Sequence, residues 1–414
     1  MSKVTSIIKN ERLFFDNSFS SNAKRVLGSN LFYTISSALI SVFISAFIWR
    51  ITDSLTAVII YNLGKWVFLP IAFYLNGFLL RKIKIQNLFF VGSILGGMSS
   101  LLLVLLSSSN LLLLFVYGAL WGIGNGFYWA NRNYLEFNET VAEARQYFYG
   151  VMSSISGMSS IVIPFLVGWF IVFAQIFKWF SADYAYWIIF GLAFLCMAGC
   201  GYVVKKGAFI TPAIDNFYIG ALLRWNRRRI LNLVSGLVDG TYFVSTILIL
   251  LLFKNEGGLG TVTAIISLLT ILATYIYGRV AAKTTSNKTI VSSIIVFFIS
   301  ALLLVVLHPL VGIGTFVIVS DITATFFSIA FMSVIWALVE EEEELEGTSR
   351  WAFIVDNELF MNIGRIIAIA VLFGITIVFS QKVSLFYGQL VIALLQIFFI
   401  VIFLRKENNP YRLH

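Results

Sequence analysis

Histidine, cysteine and proline are scarce in this chain: its 414 residues include two histidines, two cysteines and five prolines. His308 lies in a short connection between apolar runs, and His414 is the last residue. No histidine or cysteine cluster of metal-ligand or nucleophile type exists, so no metal, no cofactor and no enzymatic centre is expected. Cys196 and Cys200 stand four apart inside an apolar run and read as small core residues on one helix face. A P-loop is missing as well, which argues against direct drive by ATP. Charge is the largest deficit. Only 12% of residues are charged while 59% are hydrophobic, and the mean hydropathy is +0.91. A soluble domain of this length has no use for so apolar a chain; a polytopic membrane protein does.

Twelve apolar runs are each near the length needed to cross about 30 Å of hydrocarbon. They read as spans over residues 28–50, 55–80, 88–107, 111–137, 149–174 and 184–204, then 229–253, 259–277, 290–307, 312–338, 352–380 and 385–404. This predicts an all-α protein of twelve transmembrane helices in two six-helix, pseudo-symmetric halves. Residues 1–27 lack an uninterrupted apolar core and a small-residue cleavage site, and read as an interfacial cytoplasmic segment rather than a signal peptide. Residues 205–228 form a cytoplasmic linker between the halves 28–204 and 229–404, and 405–414 a cytoplasmic tail. The linker stretch Ile214–Arg229 mixes aromatics with a terminal arginine cluster, and part of it is expected at headgroup level. Pro70 and Pro164 each remove a helix hydrogen bond and are expected to bend spans 2 and 5.

The formal net charge of +9 would suggest nucleic acid in a soluble protein, but its placement says otherwise. Arg81, Lys82, Lys84, Arg145, Lys205, Lys206, Arg279, Lys283, Lys288, Arg405 and Lys406 all fall in alternate connections. That is the positive-inside distribution of a membrane protein with both termini in the cytoplasm, and no nucleic-acid partner is expected. Spans 3, 6, 9 and 12 hold no charge within the limits given, which marks them as the lipid-facing helices. The other spans carry Lys65, Arg132 with Glu136, Asp239, Asp321, and Glu358 with Arg365. A charge at bilayer depth costs roughly 3 kcal/mol on insertion scales, so each faces protein or water. Glu358, Asn362 and Arg365 share one helical stripe, and Glu358 and Arg365 are spaced to neutralise each other. Arg132 and Glu136 read either as gate or as helix-end residues. Lys65 and Asp239 stand alone in their helices near mid-depth, and read as groups for substrate, for a proton or for pairing across helices. Trp121, Tyr128, Trp129 and Trp336 have the chemistry to stack on a ligand or to serve as packing and belt residues.

The stretch from Trp121 to Gly157 organises the rest. Gly122, Gly124 and Gly126 put small residues on two adjoining faces of span 4, where neighbouring helices can approach. Glu136 and Arg145, nine apart, return as Glu341 and Arg350 at an offset of 205 residues. Gly77 and Lys82 return as Gly278 and Lys283 at an offset of 201. The two offsets describe a duplicated unit of about 200 residues. The acidic run Glu340–Glu344 with Glu346 sits where the helix dipole disfavours it. It reads as a solvated face, or as a partner for Arg81, Lys82, Lys84 and Arg145 when the halves close.

Gly77-Phe-Leu-Leu-Arg81-Lys82 resembles the loop 2–3 signature of the major facilitator superfamily, although its acidic residue is absent. Gly278-Arg279 with Lys283 resembles the partner motif in loop 8–9, and Gly122, Gly124, Gly126, Arg145 and Gly150 resemble the span 4–5 pattern. The resemblance implies secondary active transport of a small solute across the plasma membrane by alternating access, with Gly77, Arg81, Lys82, Arg145, Gly278, Lys283, Glu340, Glu341 and Arg350 as cytoplasmic gate candidates. Asp239, Asp321 and Glu358 offer carboxylates for proton coupling, and efflux is one direction to weigh. The expected partners are the solute, protons and membrane lipids, in a monomer. A lipid or lipid-linked flippase is the alternative within transport, and a non-transporting sensor or scaffold the alternative outside it.

Overall fold

The computed structural model describes residues 15, 18–140, 142–212, 226–280, 286–346 and 350–407. Among them are twelve helices long and apolar enough to cross a bilayer and no strand, so the predicted fold class holds. Several helix starts are fixed by side-chain caps: Ser20 accepts from the Ala23 N–H, Ser54 from Ala57, Ser181 from Tyr184 and Asn226 from Arg229. Each such cap stabilises its helix by about 1 kcal/mol. The Ser20 cap starts span 1 at Ser21, a full two turns before the expected residue 28. Spans 5 and 10 also run longer than expected, over Ala142–Ile176 and Pro309–Glu346.

The duplication is visible in backbone detail. Span 1 is broken into Ser21–Ile40 and Phe43–Thr52, and span 7 into Arg227–Asp239 and Tyr242–Phe253. The two breaks are 199 residues apart, close to the offsets of 201 and 205 of the repeated motifs. Both helices end in a left-handed residue, Asp53 at φ 46° and Lys254 at φ 56°, again 201 apart. Pro70 and Pro164 stay inside continuous helices. The interruptions therefore fall at Ser41-Val42 and Gly240-Thr241, where no proline signals them.

The halves meet chiefly through span 2 against span 11, span 5 against span 8, and the second segments of spans 1 and 7. Spans 3 and 6, and spans 9 and 12, pack within their own halves. Lipid gives helices no hydrophobic reason to associate, so close packing over small residues has to hold them together. Span 4 shows how. A Cβ on Gly122 would lie 2.5 Å from the Lys65 carbonyl of span 2, and one on Gly126 2.7 Å from that of Leu69. One on Gly124 would lie 2.2 Å from the Gly96 nitrogen of span 3. The alternating glycines thus serve two neighbouring helices.

At the end of the linker stretch, Arg228 and Arg229 are 2% and 4% exposed inside the second half. Both bind Asp356 of span 11, at 2.6 Å and 2.9 Å, and Arg228 also binds Glu342 of span 10 at 2.9 Å. Two guanidiniums buried against a 3%-exposed carboxylate are stable only as a set, because removing one charge strands the others. The rest of the linker, residues 213–225, lies outside the described residues.

Candidate functional site

For description, the end of the bundle with the turns at residues 53–54, 107–110 and 307–308 is the short-loop end, and the opposite end, where Arg81 and Lys82 lie, is the basic end. Midway between them, spans 2, 7 and 11 bring four charges together. Arg365 of span 11 donates from Nη1 to Glu358 Oε1 and from Nη2 to Asp239 Oδ2 of span 7, both at 2.9 Å. Asn362 accepts from Arg365 at 3.1 Å and donates to Glu358 Oε1 at 2.8 Å, which fixes the stripe in one rotamer set. Glycine makes the contact across helices possible. A Cβ on Gly236 would lie 1.9 Å from the Met361 carbonyl, one on Gly240 2.8 Å from the Arg365 Cα, and one on Gly364 2.2 Å from the Leu233 carbonyl. The backbone-to-backbone approach delivers Arg365 to the end of the broken helix, where Asp239 is its last residue. Asp239 would otherwise face the negative end of that helix dipole, and the guanidinium offsets the penalty.

Lys65 enters from span 2. Its Nζ lies 3.9 Å from the Trp66 ring centre and 4.4 Å from that of Trp121, while the Arg365 guanidinium sits 4.2 Å from the Trp66 ring. Among the described residues Lys65 makes no direct ion pair, and Asp239 is within electrostatic reach of it. Desolvated cation–π contacts of this kind are worth about 2 kcal/mol each. Asp239 is the open member of the group, with 46% of its side chain exposed. A carboxylate exposed at mid-span faces water rather than lipid.

Beside Trp121, at the break in span 1, lies a cavity of about 40 Å³ lined by Tyr33, Ser37, Ser41, Trp121 and Asn125 among others. Tyr242, just after the break in span 7, is half exposed and within electrostatic reach of Asp321 of span 10.

Other predicted residues stand elsewhere. Arg132 and Glu136 pair with each other eleven or more residues beyond Trp121, toward the basic end. Arg132 also donates to Asn30 at 2.7 Å and lies against Tyr33, Tyr128 and Trp129, so this second cluster is closed upon itself. Tyr128 is fully buried, and Trp336 is 45% exposed without a ring contact to the central group among the described residues. Gly77 is buried one residue after Asn76, whose amide pairs reciprocally with Asn131 at 2.8 and 3.0 Å. Arg81 lies over the Phe78 ring at 5.4 Å and Lys82 is exposed. Glu340 and Glu341 are exposed, and Glu342 binds Arg228 within its own half. Lys283 and the side chains of Arg145, Gly278 and Arg350 lie outside the described residues.

The short-loop end holds residues that the charge pattern alone did not single out. Arg50 binds Glu256 across the halves at 2.8 Å, Tyr186 donates to the same carboxylate at 3.4 Å, and Asp183 stands 3.9 Å from Arg50. Gln381 accepts from the Leu55 N–H at 3.1 Å and donates to the Asp53 carbonyl at 3.4 Å. At the basic end the halves meet through aromatic packing, with Tyr134 and Trp351 at 6.4 Å.

No protein-family profile matches the chain. It is 24% identical over 365 residues to an uncharacterized protein, YqgE, of Bacillus subtilis (strain 168), covering 85% of this chain and 82% of that one. It is 28% identical over 150 residues to an uncharacterized protein in the sodM 3' region of Geobacillus stearothermophilus, covering 34% of this chain and 65% of that one. Among solved structures it superposes on a point mutant of the nucleoside transporter NupG with a TM-score of 0.63 at 12% identity, over 93% of this chain and 99% of that one. A bacterial homologue of the human lysosomal transporter Spinster, in an inward-facing and occupied conformation, gives a TM-score of 0.62 at 11% identity over 93% and 96%.

Proposed function

From a chain with the twelve-helix fold of the major facilitator superfamily, we propose a secondary active transporter that moves a small solute across the plasma membrane by alternating access. One observation carries the reading: the two helices that break do so at matching positions of the duplicated halves, around a four-charge cluster at mid-depth. Interrupted helices at repeat-related positions are where transporters of repeated architecture place their substrate. Residues 28–204 and 229–404 are the rocking halves, joined by the 205–228 linker. The short-loop end faces outside and is the end latched by Arg50, Glu256 and Gln381. Both termini are then cytoplasmic. Gly77, Arg81, Lys82, Arg145, Gly278, Lys283, Glu340, Glu341 and Arg350 belong to the cytoplasmic gate.

Coupling is to protons. Protonating Asp239 weakens its hold on Arg365, which retains Glu358, so the cluster can lose a proton-bearing member without collapsing. A lipid flippase or a non-transporting scaffold makes opposite forecasts. Purified protein in vesicles carrying an internal pH-sensitive dye reports solute-dependent proton flux. Flux that depends on solute and disappears in Arg365→Ala fits the proposal. Movement of labelled lipid without solute-dependent flux points to the flippase, and neither signal points to the scaffold.

A further inference from the structure

We infer that the central site takes a small organic anion with a flat or apolar body. The inference rests on the transport reading and names its substrate class. Among the described residues, the buried side-chain atoms of the cluster without a hydrogen-bond partner are donors. The Trp66 indole N–H and Arg365 Nε are buried and have no hydrogen-bond partner, and Arg365 as a whole is nine-tenths buried. Lys65 brings three further N–H donors and has no acceptor among the described residues. All three belong to one group: Lys65 and Arg365 each stand about 4 Å from the same Trp66 ring. A buried donor left unmade is costly, and one acceptor-rich ligand satisfies several at once.

The ring faces supply the second half of the recognition. Trp66 and Trp121 meet edge to face at 6.3 Å, beside the cavity at the break in span 1. Trp66 already carries Lys65 and Arg365 over its ring, so the flat or apolar body falls to Trp121, which lines that cavity, while Lys65 and Arg365 Nε hold the anionic head. Formal charges around the site already balance, with Lys65 and Arg365 against Asp239 and Glu358. An arriving anion is therefore matched by a proton on one of the two carboxylates. That makes the pair electroneutral in the low-dielectric site, where a net charge would be strongly disfavoured.

The test compares head groups on one body. Purified protein is titrated with benzoate, benzamide and benzylamine, and with phenyl phosphate against phenol, following tryptophan fluorescence and thermal stability. Benzoate or phenyl phosphate should bind at least about tenfold more tightly than its neutral counterpart. Trp66→Phe, which keeps an aromatic face but loses the N–H and the fused five-membered ring, should weaken the anion about three- to tenfold more than it weakens the neutral compound. Lys65→Gln should weaken it at least about tenfold. Equal affinity for neutral and anionic members, preference for benzylamine, or no binding by any anion overturns the inference. Vesicle flux keeps the two readings apart. Flux of a cationic or neutral solute without anion binding sinks the anion and leaves transport standing; anion binding without any flux does the reverse.

Discussion

Gly236→Ala measures how much of the site depends on backbone contact between spans 7 and 11. The added Cβ would start 1.9 Å from the Met361 carbonyl oxygen, and real Cβ contacts are essentially never under 3.0 Å. The helices must therefore separate by about 1.1 Å at that level. The Arg365–Asp239 bond is 2.9 Å long and four residues away, so the same displacement takes it past hydrogen-bonding range. Overpacking of this size costs about 1–3 kcal/mol. The lost charge-assisted bond adds about 1 kcal/mol, scaled down because Asp239 is 46% exposed. Replacing a helical glycine returns about 0.5–1 kcal/mol, leaving a net loss of about 1–3 kcal/mol. Gly314→Ala is the control, since nothing lies within 4 Å of its added methyl. Thermal unfolding of the purified protein should show Gly236→Ala clearly less stable than wild type and Gly314→Ala equal or slightly better. Flux should fall only in the first. Equal melting of the two variants would refute the claim that glycine contact sets the position of Arg365.

Asp239→Asn should abolish proton-gradient-driven flux while the protein still expresses, because Arg365 keeps Glu358; full flux in that variant removes Asp239 from coupling. Glu256→Gln should loosen the short-loop end, shifting the open-to-closed ratio about fivefold for about 1 kcal/mol, read as faster thiol labelling of a cysteine placed at Gln175. Asp356→Asn should destabilise the protein by about 3–5 kcal/mol, since it removes the buried carboxylate that Arg228 and Arg229 share, whereas Glu340→Gln should cost under about 0.5 kcal/mol; comparable yields of the two variants would contradict the buried-network reading.

Much of this arrangement can be read in the chain because the bilayer removes most alternatives. Every unsatisfied backbone group is costly in lipid, so apolar length alone gives the twelve helices. Insertion cost similarly marks Lys65, Asp239, Glu358 and Arg365 as residues facing protein or water. What the chain does not announce is partnership. Glu358, Asn362 and Arg365 form a stripe through local spacing, but the bond to Asp239 depends on two helices far apart in sequence. A signal for it existed in Gly236-Leu-Val-Asp239-Gly240, a small-xxx-small pattern containing the very carboxylate that is delivered. The ring contacts of Lys65 were legible only in part, since Trp66 is its sequence neighbour while Trp121 comes from another helix. The partners of Arg228 and Arg229 were not legible either, because Asp356 lies 128 residues from Arg228 and Glu342 stands in a different helix.

The duplicated halves differ most where chemistry is concentrated, and that difference bears on mechanism. Both carry a broken first helix at matching positions, so the geometry of bending is shared. Their charges are not shared. Asp239, Glu358 and Arg365 belong to the second half, and the first contributes Lys65 with Trp66 and Trp121. Under the proposed rocking of the halves, the three-member network would move as one body, because its bonds lie inside that half. The contacts that must break or slide are the indole and ammonium contacts across the interface between spans 2 and 11. A stacked guanidinium tolerates sliding across a ring far better than a hydrogen bond tolerates stretching. Placing cation–π contacts at the moving interface and ion pairs within one half therefore lets the site keep its polar network while its walls separate. Trp66→Leu tests this division: it should slow flux while leaving the Asp239–Arg365–Glu358 network, and hence most of the thermal stability, in place. A collapse in stability equal to that of Arg365→Ala would show that the ring is part of the network's support and not a sliding surface.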